Sequence, residues 1–138
     1  MKIAQYGTLV VVMHAIANGL HGLAHVEIPV SLSLVQKLFV GIVVFPTPII
    51  AAVLLWTQFY RIGSWLLLSS IAGSLLFAIY NHHIVISPDH VSQVSFEGWG
   101  LLFQVTAYLI LIADALGCWI SVLALKTIQQ PEQLKQIS

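Results

Sequence analysis

The sequence predicts an all-α fold, a four-transmembrane-helix up-and-down bundle, on three observations. Of 138 residues, 59% are hydrophobic and 7% charged, and the mean hydropathy is +0.95, a composition foreign to water-soluble domains. Four apolar stretches, 3–24, 38–60, 62–86 and 99–125, reach the length of about 20 residues that a helix needs to cross a hydrocarbon core of roughly 30 Å. The connections are short, which makes consecutive helices antiparallel neighbours and 1–125 a single domain. The tail 126–138 is polar, carries Pro131 and is assigned no function.

The first span begins at Lys2 and stays apolar except for a set of polar residues discussed below. Lys2, the apolar run and the small-x-small triplet Ala15-Ile16-Ala17 also fit a signal peptide. Against that, the charged region is one residue and the apolar run continues past the cut to Ala24. Pro46 and Pro48 fall near the middle of the second span, where each removes an amide donor, frees a carbonyl and kinks the helix. The third span carries Ser69, Ser70, Gly73 and Ser74, small residues at spacings that allow close helix contact. The fourth carries Asp114 near its middle, a carboxylate that costs several kcal/mol in hydrocarbon unless compensated.

Lys2, Arg61, Lys126 and Lys135 fall on one side of this topology and Lys37 on the other. Cations in short loops stay on the cytoplasmic side, so both termini are expected there, with the two longer loops exoplasmic. Trp56, Tyr60 and Trp65 on one side and Phe96 and Trp99 on the other fit interfacial anchors. The expected partner is therefore the lipid bilayer, with a larger membrane complex as a further one. Five cations balance five anions, which leaves no basic face for a phosphate backbone and excludes nucleic acid. The lone Cys118 supplies neither a disulfide nor a thiolate cluster.

Six histidines among so few ionisable groups are where a functional reading starts. His14, Asn18, His21 and His25 are spaced by 4, 3 and 4 residues, which places them within a helical sector of roughly 60°. An intramembrane polar stripe of this kind points into the bundle. The third span ends in Tyr80-Asn81-His82-His83, with Ser87-Pro88-Asp89-His90 just beyond. Spans one and three run in the same direction, and equal counts from their starts bring His21 and His25 to the level of His82 and His83. Tyr80 and His83 share a face one turn apart, which makes His83 the expected inward ring. Asp114 and His14 lie equally far from the cytoplasmic edge, so the two can pair, either to fix helix register or as one step of a proton path.

The candidate metal ligands are His21, His25, His83, His90 and Asp89, with His14, Asp114, Asn18 and Tyr80 as supporting or proton-path residues. Glu27 and Glu97 add carboxylates nearby. Nitrogen and carboxylate donors suit a transition metal such as Zn, Fe or Cu(II), and the absence of a nearby thiolate argues against Cu(I). The alternative cofactor is haem b, held by His21 or His25 and by His83, with Gly19 and Gly22 making room for the macrocycle. The i, i+4 pair lacks the Glu of H-E-x-x-H, and no catalytic residue is assigned.

The stretch from Asn81 through Val91, together with His14, His21 and His25, resembles a group of small, uncharacterised, His-rich bacterial four-helix membrane proteins. The resemblance implies the fold and carries no activity.

Overall fold

The computed structural model describes residues 2–28 and 30–137, with the backbone alone for 128–137. Its helices are α1 (Lys2–Glu27), α2 (Leu34–Phe39), α3 (Pro46–Leu55), α4 (Tyr60–Ile79) and α5 (Trp99–Ile137), and no strand occurs among the described residues. A π-helical turn, Val40–Val44, joins α2 to α3, and a second, Tyr80–Ile84, extends α4. Four helices are long and apolar enough to cross a membrane: Lys2–Glu27, Leu34–Leu55, Tyr60–Ile84 and Trp99–Thr127. The second starts four residues earlier than expected. Ser33 and Gln36 form a capping box there, Ser33 N–H donating to Gln36 Oε1 at 2.8 Å and Gln36 N–H to Ser33 Oγ at 3.3 Å. The helix also stops earlier, at Leu55.

The two prolines account for the irregular second span. Pro46 and Pro48 have no N–H, so the carbonyls of Ile42 and Val44, four residues before each, lose their helical donors. The Thr47 hydroxyl donates to Ile42 O at 2.6 Å. The second carbonyl is reached from a different helix, where His14 Nε2–H donates to Val44 O at 2.8 Å. Where no water can serve as donor, such side-chain replacements allow a broken helix to persist.

α5 packs along α1 and α4, and α3 packs on both α4 and α1. Small residues set these distances. A Cβ on Gly117 would lie 2.8 Å from Val10 and 2.9 Å from Ile71, so this glycine is what lets α5 sit against α1 and α4 together. The buried core has three apolar layers. One, near the Trp56–Phe59 turn, contains Ala4, Val11, Ala51, Leu55, Leu67 and Ile71; the middle layer is Ala17, Ala78 and Ile110; the third, toward the two longer loops, is Ala24, Val91, Phe103 and Ala107. Along α1, His14 falls between the first and middle layers and His21 between the middle and third. In the second span, Phe39 of α2 stacks on Phe77 of α4 at 4.9 Å, the π turn packs on α4, and α1 contacts this span mainly through α3.

Candidate metal centre

The periodicity of α4 decides which histidine faces inward. Its buried residues include Leu67, Ile71, Ser74 and Ala78, and a further step of four reaches His82, which is buried. Tyr80 is 58% exposed and lies on the outer surface, so it was the wrong reference for choosing between His82 and His83. His83 instead sets its ring 5.2 Å from that of Tyr108 and lies outside the cluster. Of the small residues Ser69, Ser70, Gly73 and Ser74 that the sequence offers as a packing signal, Ser74 lies on the buried face that continues through Ala78 to His82.

His21, His25 and His82 each offer one ligand nitrogen, and these nitrogens lie within 4.8 Å of one another. The rings meet edge to face, His21 with its centroid 4.9 Å from His25 and 4.7 Å from His82, and His25 and His82 are 6.1 Å apart. Phe103 of α5, fully buried, backs all three at 4.6, 5.1 and 5.4 Å. Zinc–nitrogen bonds of about 2.0–2.1 Å hold tetrahedral donors about 3.3 Å apart, so side-chain rotations of about an ångström would bring the three onto one ion.

Hydrogen bonds behind two of the rings fix which nitrogen carries a lone pair, and a nearby carboxylate orients the third. The Thr106 hydroxyl gives its proton to the backbone, with Leu102 O at 2.6 Å, and therefore accepts from His21 Nδ1–H at 2.9 Å. His21 Nε2 is left as an acceptor, buried and without a hydrogen-bond partner. His82 Nδ1–H donates to Asp89 O at 3.0 Å, which leaves the lone pair on Nε2. His25 Nε2 lies 3.2 Å from Asp89 Oδ1, which favours the proton there, and its Nδ1 is buried without a partner. Each ring thus has its N–H side against an oxygen of the protein and one nitrogen available to a guest, the arrangement in which an outer oxygen sets the tautomer of a metal-binding histidine.

Asp89 belongs to that outer layer. The turn after Pro88, with Asp89 N–H on Ser87 Oγ at 3.2 Å and His90 N–H on Ser87 O at 2.9 Å, folds the buried Asp89 back under the loop. Its Oδ1 lies 3.2 Å from His25 Nε2 and 3.3 Å from His82 Nδ1. Burial pushes this carboxyl up, but the two rings beside it outweigh burial and hold it at about 2. His90, expected as a ligand, caps the short helix Val91–Gln93, where its Nδ1 accepts from Ser92 N–H at 3.1 Å. Glu27 and Glu97 line a separate hollow of about 370 Å³ near Trp99, away from the triad.

Deeper in the bundle, His14 Nδ1 and Asp114 Oδ1 are 2.6 Å apart, both essentially inaccessible at 1% and 0%. Since His14 Nε2–H is committed to Val44 O, the pair holds its shared proton either as imidazolium and carboxylate or as imidazole and acid, and it is neutral overall in both. Asn18 Nδ2 donates to His14 O at 3.0 Å and stands 3.2 Å from His14 Nδ1. Asn18 also borders a cavity of about 330 Å³ that reaches His21, His25, His82 and Asp89.

The chain matches no protein-family model, no curated protein and no solved structure.

Proposed function

We propose that this chain is an integral membrane protein that binds a divalent transition-metal ion through His21, His25 and His82, close to the exoplasmic surface. The observation that carries this reading is the matched polarity of the three rings, each N–H turned to Thr106 or Asp89 and two free nitrogens buried with no partner. Unpaired buried acceptors are costly in a purely structural network. Three neutral imidazoles with room for a fourth ligand suit zinc, and imidazole donors also serve iron and copper.

Haem b is the weaker reading. The rings of the triad contact one another and Phe103 at 4.6 to 6.1 Å, and that packing leaves no slab between two of them for a macrocycle. The placement of the triad near the outer surface rests on the cation asymmetry of the loops.

The test is elemental analysis and an absorption spectrum on one purified sample. About one metal ion per chain is expected, with no Soret band, and His21→Ala and His82→Ala should each remove most of the metal while His83→Ala retains it. A Soret band would establish haem instead. Neither signal, with co-purification of a larger complex, would mark an accessory subunit whose polar residues serve packing.

A further inference from the structure

The cavity of about 330 Å³ beside the triad falls within the size range of small-molecule sites. Its polar lining gathers at one end, in His21, His25, His82, Asp89 and the exposed Lys37. Below, its walls are side chains such as Val40, Val44, Phe77 and Ile110, with Asn18 and Ser74 as the few polar exceptions. It is lined by α1, by α2 with its π turn and by α4, through Gly22, Val40 and Phe77 among others.

We propose that the cavity binds a single-chain amphiphile with an anionic head, the head completing the metal's coordination beside Lys37 and the apolar tail running down toward Val44. This rests on the metal reading above and extends it to a ligand class. Charge balance favours an anion: a divalent ion, the Lys37 ammonium and the Asp89 carboxylate sum to two positive charges around neutral imidazoles. An apolar wall below a charged head site fits a molecule that arrives from the bilayer and not from water. A carboxylate and a phosphate head share this chemistry.

The test uses Co(II) as the metal, in protein reconstituted in lipid nanodiscs, with decanoate, methyl decanoate, decyl phosphate and acetate as probes. Decanoate should change the visible Co(II) bands, methyl decanoate should leave them unchanged, and acetate should need at least about a hundredfold higher concentration, given about 0.8 kcal/mol for each buried methylene. A larger response to decyl phosphate would assign a phosphate head, and a larger response to decanoate a carboxylate. Gly22→Leu is the decisive variant, because Gly22 borders the cavity and a Cβ there meets nothing within 4 Å. It should preserve the Co(II) spectrum and abolish the decanoate response. Lys37→Gln should weaken decanoate by about fivefold, the scale of an exposed ion pair. An unchanged spectrum with decanoate, an equal response to the ester, or a full response in Gly22→Leu would overturn the proposal and leave the metal reading standing. Failure to bind Co(II) at all would overturn both.

Discussion

Thr106 touches no guest in the proposed site, yet its hydroxyl determines where His21 carries its proton. Thr106→Val keeps the shape and removes the acceptor, which frees His21 to adopt the other tautomer. The expected result is a loss of metal affinity by about 10- to 100-fold with the fold retained, read by competition with a chelator and by circular dichroism. Asp89 acts on two rings at once, and its effect is readable by pH in the metal-free protein. Its carboxyl is held near 2 in the folded chain against an ordinary 3.8, so its charged form stabilises the loop above about pH 4 and that contribution disappears as pH falls toward about 2. Thermal unfolding in detergent should show wild type losing stability across this window, and Asp89→Asn should lack that component. A sequence reading makes Asp89 a ligand because carboxylates commonly are; its place behind the rings follows from the turn at Ser87 and Pro88, which spacing does not reveal.

At the scale of elements, the spans were legible because hydrocarbon thickness sets a length that composition can meet or miss. The pairing level of α1 and α4 was legible too, since parallel helices of equal rise keep equal depth. Two features were not. The choice between His82 and His83 turned on which neighbour marked the inner face, and Tyr80, amphipathic and near a helix end, is at home on the outside. The π turn Val40–Val44 depends on how carbonyls freed by Pro46 and Pro48 find donors, and Val44 O finds one thirty residues away on α1. His14 therefore joins three helices through Asp114 and Val44. Asp114→Leu leaves a buried imidazole without its partner and should cost about 3–5 kcal/mol. The double variant His14→Leu, Asp114→Leu should recover much of that loss. Reversible unfolding in mixed micelles of both single variants and the double gives these values, and a double-variant loss equal to the sum of the two single losses would mean the pair is not coupled.

For the whole molecule, topology is readable by labelling in membranes. In a Cys118→Ser background, Lys126→Cys should react with a membrane-impermeant maleimide only after cells are opened, and Ser92→Cys should react in intact cells. The reverse pattern would put the triad on the cytoplasmic side. The two ends of the bundle are also secured by different means. Near the Trp56–Phe59 turn an apolar layer of Ala4, Leu55, Leu67 and Ile71 interlocks without help, whereas the opposite end gathers imidazoles from α1 and α4 around Phe103. An ion seated there would act as a rivet between α1 and the turn after α4, which touch each other little directly. Stripping it should speed amide exchange around His21 and His82 while Leu67 and Ile71 keep their protection. Metal supply would then govern how tightly one end of the barrel of helices is shut, without altering whether the chain is anchored.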